Sequence, residues 1–227
     1  MRTRLSRARL FMTVDAVGGV WTYATDLARG LRERGFDTVM AVVGPPPSPS
    51  QRARAEMIDG LRLIATGLEL DWTAADPDAV RRSADALAAL ARSEGADLAQ
   101  VNSAPLGCSD GWRVPVLTVA HTDVGTWWRA VREGPWPQDF DWRVAMTGEA
   151  YARADARSAP TRAFAEATAD VYPGAGRLSV VRNGRRPARL VRPEAKGRAG
   201  AWVFTAGRLW DPGKNAALLD TVAPRLE

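Results

Sequence analysis

Apolar and polar positions along the chain switch repeatedly between a strand-like and a helix-like period. Residues 8–15, "ARLFMTVD", form an apolar run of strand length that leads to the glycine pair Gly18 and Gly19. In the following "VWTYATDLARGLRERG", Val20, Tyr23, Ala24, Leu27 and Leu31 recur at helical spacing, and Gly35 closes the helix. "FDTVMAVVG" (36–44) reads as a second buried strand. The proline-rich "PPPSPS" (45–50) suits neither a helix nor a central strand, because proline carries no N–H to donate. The βαβ order predicts a parallel sheet.

The alternation continues with a helix at 51–59, a strand "LRLIAT" (61–66) and an alanine-rich helix at about 77–93, whose Val80, Ala84, Leu87 and Ala91 share one core-facing stripe. Strands "ADLAQVNS" (96–103) and "VPVLTVAHT" (114–122) follow, then helices near 126–132 and 139–154. Thr161, after Pro160, caps a helix in "APTRAFAEATADVY", and "RLSVVRNG" (177–184) is a strand ending in a turn. From Arg185 to Gly200 arginine, proline and glycine dominate, which predicts a linker. A strand "AWVFTAGRL" (201–209) and a helix "KNAALLDTVAPRL" (214–226) come last. The expected organisation is a first domain over 1–184, a linker over 185–200 and the start of a second domain over 201–227. One βα unit of that size leaves too much apolar surface in water to stand alone.

Composition narrows the setting. With 227 residues, 46% hydrophobic and 25% charged, the chain is long enough to bury a core. The single cysteine, Cys108, excludes an internal disulfide and fits a reducing compartment, so the cytoplasm is expected. No apolar run reaches the roughly 18 residues of a membrane span, and the amino-terminal "MRTRLSRARLFMTV" lacks the apolar core of a signal peptide. The formal charge of +5 would suit an anionic partner, yet the basic residues are nearly all arginine and are spread along the chain. No nucleic-acid recognition motif accompanies that charge, so nucleic acid is not an expected partner. Only Lys196 and Lys214 are lysines.

Four groups of residues could carry chemistry. The turn "DAVGGV" lies between the first strand and first helix, where backbone N–H groups can meet a phosphate; it reads equally as a tight connection. His121, the only histidine, ends a predicted strand at the carboxyl edge of the sheet, as a ligand-facing or a structural residue. Arg208 and Lys214 flank the turn in "FTAGRLWDPGKN", where two cations could neutralise a diphosphate or simply face solvent. Trp127, Trp128, Trp136 and Trp142, interleaved with Arg129, Arg132 and Arg143, suit a sugar face, a lipid headgroup boundary or partial burial between helices. One histidine and one cysteine cannot assemble a histidine/cysteine metal site, and no nucleophile-and-base signature is present.

Taken in order, these stretches resemble retaining glycosyltransferases of family 4, which have the two-domain GT-B fold. "VGGVWTYATDLARGLRERG" is similar to that family's glycine loop and first helix, "APTRAFAEA" to the helix after its sixth strand, and "VVRNG" to its turn before the domain crossover. "FTAGRLWDPGKN" resembles the motif that opens the second domain, although its arginine-to-lysine spacing is one residue longer, an excess Gly213 could absorb. The resemblance implies an α/β architecture, a Rossmann-like parallel sheet with helices on both faces, as the acceptor-side domain. It implies a hexosyltransferase-type enzyme that moves a sugar from a nucleotide-sugar donor to an acceptor with retention of configuration and without a metal. Gly18 and Gly19 would approach the donor phosphates, His121 the donor sugar as the catalytic-site residue, and Arg208 and Lys214 the diphosphate. The family's second domain continues for on the order of 150 residues and carries a paired-glutamate motif that this sequence does not reach, so a truncated second domain, completed by missing residues or a partner chain, is expected. The rival expectation is a non-catalytic fragment that binds an acceptor, a partner subunit or an anionic membrane surface. Its basis is the basic run Arg182, Arg185, Arg186, Arg189, Arg192, Lys196 and Arg198 together with the tryptophans.

Overall fold

The computed structural model describes residues 7–185 and 205–225. Seven strands form one sheet: β1 (Ala8–Val14), β2 (Phe36–Val42), β3 (Leu61–Ala65), β4 (Leu98–Val101), β5 (Val116–Val119), β6 (Ala156–Ala159) and β7 (Ser179–Val180). Their order is β3-β2-β1-β4-β5-β6-β7, and every neighbouring pair is parallel. The chain winds outward from β1 to β3 on one side and from β4 to β7 on the other. The switch point, where ligands gather in open parallel sheets, therefore lies between β1 and β4.

The strands alternate inside and out, so the sheet has two cores. On one face Leu10, Met12 and Val14 of β1 and Met40 and Val42 of β2 pack under Trp21 and Ala24 of α1 (Gly19–Arg32) and Ala55 of α2 (Pro49–Glu56). On the other, Phe11, Val39 and Ala41 meet α3 (Pro77–Ser93), α5 (Asp141–Arg153) and α6 (Arg162–Val171). The stripe expected on α3 is all there: Val80, Ala84, Leu87 and Ala91 are buried. A shorter helix, α4 (Val124–Val131), leaves the end of β5 and lies close to α6. The β4-to-β5 crossover has no α-helix; Ala104–Gly107 makes a buried 3-10 turn instead.

Several sequence expectations need correction. Helix α2 starts inside the proline-rich stretch: Ser48 caps it, accepting the Gln51 N–H at 3.2 Å, and Pro49 takes the first helical position, where a missing N–H costs nothing. Strand β6 has the small residues "ARSA" and no apolar run to announce it. Strand β5 ends at Val119, two residues short of His121, and β7 is only two residues long. The linker expected at 185–200 and residues 201–204 lie outside the described residues, Arg185 excepted. Over 205–209, where a strand was expected, the backbone is bend and turn. Lys214 closes a 3-10 turn (Pro212–Lys214), ahead of helix α7 (Ala217–Val222), rather than opening a helix.

Candidate functional site

Three strand ends meet at the switch point through one hydrogen-bonded network. Asn102, just past β4, donates from its side chain to the Thr13 carbonyl of β1 at 2.7 Å, while its backbone N–H reaches the Thr13 hydroxyl at 3.1 Å. That fixes the orientation of the amide: Asn102 Oδ1 faces the other way, accepting Gln100 Nε2 at 3.0 Å and lying 3.0 Å from His121 Nε2. Gln100 also reaches the Tyr23 hydroxyl of α1 at 3.3 Å, and the Tyr23 ring packs edge-on against His121 with centroids 4.6 Å apart.

The network sets the state of the histidine. An oxygen that already accepts from Gln100 can only accept from His121 as well, so Nε2 carries the proton and Nδ1 keeps its lone pair. Burial pushes the imidazole down to about 4, so it is neutral near pH 7. A neutral, positioned imidazole with a free acceptor nitrogen can receive a hydroxyl hydrogen bond; it is not a proton donor at that pH.

The glycine turn lies beside this network, since Gly19 precedes Tyr23 by one turn on α1. Gly18 is the helix cap, in extended conformation (φ −138°), and supplies no side-chain acceptor to the first-turn N–H groups. No acidic residue stands in that turn. A Cβ at Gly19 would meet nothing within 4 Å, so the space above the helix end is open. Positive charge from the helix dipole and unused N–H groups face that space.

Arg208 and Lys214 are on the separate turn at 205–215. Arg208 Nη2 pairs with Asp211 at 2.9 Å, and its guanidinium lies 5.6 Å from the centre of the Trp210 ring. Asp211 is held below the usual carboxylate range chiefly by Arg208, helped by the Gly213 N–H, the Arg208 charge and Trp127. The turn sits against α4: a Cβ at Gly213 would come within 3.0 Å of Trp127 Nε1. Lys214 packs along Gly207. No hydrogen bond or ion pair joins Arg208 or Lys214 to His121 among the described residues.

The tryptophan cluster is largely consumed internally. Trp128 donates to the Gly134 carbonyl at 3.0 Å, Trp136 to Asp141 at 2.8 Å, and Arg143 stacks on Trp142 at 4.1 Å. Of the basic run, Arg185 pairs with Asp26 at 3.4 Å, and Arg186 to Arg198 lie outside the described residues. Among the described residues no group of three or more His, Cys, Asp or Glu is placed to hold a metal ion. No described helix is long and apolar enough to cross a membrane.

Sequence reasoning found His121 and the glycines but missed Thr13, Gln100 and Asn102. A signal was present, because "ADLAQVNS" carries two amides two residues apart, hence on one face of an otherwise apolar strand. Tyr23, placed by sequence at helical spacing, packs against the core and also brings its hydroxyl to the network.

In an open parallel sheet of this topology, the switch point that holds the polar network is where ligands gather. The model of Glycosyltransferase Family 4 matches residues 17–189, and the chain belongs to that family. No curated protein sequence matches the chain. Among solved structures it is similar to a Rickettsia africae glycosyltransferase (14% identity, TM-score 0.52, covering 78% of this chain and 43% of that one). It is likewise similar to a Polygonum tinctorium UDP-glucosyltransferase (14%, 0.55, 83% and 55%) and to Anabaena HepE bound to UDP and glucose (15%, 0.53, 79% and 45%). At such identities the likeness shows the GT-B type of Rossmann-like fold, and the chain spans about half the length of these structures.

Proposed function

We propose that this chain contributes the acceptor-side domain of a transferase that moves a sugar from a nucleoside-diphosphate sugar to a hydroxyl acceptor with retention of configuration, in the cytoplasm and without a metal. The observation that carries the reading is the neutral His121 held by Asn102 beside the open glycine turn, in a chain of family 4. Gly18 and Gly19 present N–H groups to the donor phosphates, and His121 Nδ1 receives a hydroxyl of the donor sugar. Arg208 and Lys214 neutralise the diphosphate, with Arg208 exchanging Asp211 for phosphate oxygens. That exchange releases the half-exposed Arg208 and leaves Asp211, whose side chain is 10% exposed, with the Gly213 N–H.

In transfer, the bond from the sugar's C1 to the diphosphate oxygen breaks and a bond from C1 to the acceptor oxygen forms. Retention brings the acceptor to the face the leaving group departs from, so the acceptor's proton passes to the leaving diphosphate. The remainder of a two-domain donor pocket, from further residues or a partner chain, belongs to this reading.

Titration of the chain with UDP, GDP and ADP, followed by the amide signals of Gly18 and Gly19, tests it. One diphosphate should shift both signals, and Arg208→Ala with Lys214→Ala should weaken binding about tenfold or more, the scale of one or two charge-assisted contacts. Binding that the double variant leaves unchanged, or no response to any diphosphate, would refute the donor assignment.

A further inference from the structure

A second polar group at the same end of the sheet has no role in donor binding. Asp71, in the loop after β3, is 8% exposed, and its Oδ1 accepts the Ser103 hydroxyl at 2.8 Å. Among the described residues no cationic side chain forms an ion pair with this carboxylate. Arg143, the nearby cation, is committed elsewhere: Nε donates to the Asp71 carbonyl at 2.9 Å, Nη2 to the Ala74 carbonyl at 3.1 Å and Nη1 to Asp139 at 2.9 Å. Arg143 thus fixes the backbone of the turn and leaves the carboxylate without a direct counter-ion.

Burial pushes the Asp71 carboxyl up from its usual range; the Ser103 bond, a backbone N–H and the charge of Arg143 oppose this, and Asp123 adds to it. An ionised acid in such a place costs stability unless its hydrogen bonds compensate for the lost water. Two further features give the site a direction. Ser103 directly follows Asn102, whose side chain holds His121. The next residue on the rigid turn, Trp72, leaves half of its surface in water, unlike the tryptophans of α4 and α5.

We propose that Asp71, Ser103 and Trp72 form a subsite that takes a polyhydroxylated, non-anionic acceptor. The Asp71 carboxylate receives a hydroxyl hydrogen bond while the Trp72 indole covers the apolar face of a saccharide-like ring. The carboxylate repels a phosphate or carboxylate at that point. This assignment rests on the transferase reading, whose acceptor class it names.

The test is titration of the chain with methyl β-D-glucopyranoside, followed by the Trp72 indole N–H signal, in the wild type, Asp71→Asn and Trp72→Ala. The glucoside should shift the Trp72 signal, and each variant should weaken binding about tenfold, as expected for one hydrogen bond to a charged group or one apolar face. Asp71→Asn, which keeps the Ser103 contact, should unfold at the same temperature as the wild type or higher, an outcome that a purely structural acid would not give. Glucose 6-phosphate should bind more weakly than the glucoside. No shift at Trp72, unchanged affinity in Asp71→Asn, or tighter binding of glucose 6-phosphate would overturn the proposal. A glucoside response without any nucleoside-diphosphate response at Gly18 and Gly19 would uphold the subsite and refute the donor reading; the reverse pattern would do the opposite.

Discussion

The two ends of the sheet handle charge in opposite ways. At the amino ends of the strands arginines meet carboxylates in exposed or half-exposed pairs: Arg32 with Asp37 and Asp59, Arg62 with Glu94, Arg153 with Asp110 and Glu149. Two crevices, of about 470 and 400 Å3, are lined in part by these groups, Asp110 and Arg153 in one and Arg32, Asp37, Arg62 and Glu94 in the other. At the carboxyl ends there is a neutral histidine held by amides and a buried acid without a counter-ion. These crevices therefore lie at the end with paired charge, and the polar network lies at the other. The chemistry is the better guide, because compensated surface charge has nothing left to offer a ligand.

Substitutions should separate the ends by size of effect. Asn102→Ala is expected to cost the most, about 2–4 kcal/mol in urea unfolding, since it removes the side-chain donor to the buried Thr13 carbonyl and leaves Gln100 Nε2 with Tyr23 but without Asn102. A loss under 1 kcal/mol would mean that the network is not the rigid centre of the site.

The pH dependence of His121 comes next. Its folded value, near 4, lies below the ordinary 6.5, so the unfolded chain takes up the proton first as pH falls. Stability should drop through the window from about 6.5 to about 4, by roughly 2–3 kcal/mol. The raised carboxyl of Asp71 acts with the opposite sign, because the folded state protonates first. The difference between wild type and His121→Gln across the window isolates the histidine, and a flat difference would show that the imidazole is not desolvated.

Gly125→Ala should cost about 1–3 kcal/mol, because a Cβ there would lie 2.6 Å from the Tyr172 hydroxyl, which donates to Asp123, the cap of α4. Unchanged thermal unfolding would show that Tyr172 can move aside freely. Smallest of all, Arg153→Ala at the amino end should change stability by under about 1 kcal/mol although it breaks two ion pairs. A larger loss would remove the contrast between the ends.

Elements with a strong period were legible in the sequence: the stripe of α3, the first βαβ unit and the Thr161 cap, whose hydroxyl accepts the Phe164 N–H at 3.1 Å. Elements specified by neighbours were not. β6 is a strand because β5 and β7 pair with it, not because "ARSA" favours one. At the site, Gly18, Gly19 and His121 stood out by residue type. Asn102 and Asp71 did not, since an amide or an acid in a loop is ordinary until its burial and its partners are known.

Hydrophobic periodicity along the chain determined the α/β class, the parallel sheet and the order of its elements, because each is a local consequence of side-chain spacing. Tertiary structure alone decided that Asn102 would bind Thr13 and orient His121, and that Ser103 would meet Asp71, residues 89, 19 and 32 positions apart respectively. Only the folded sheet brings such groups within hydrogen-bond reach and removes the water that would otherwise level their chemistry.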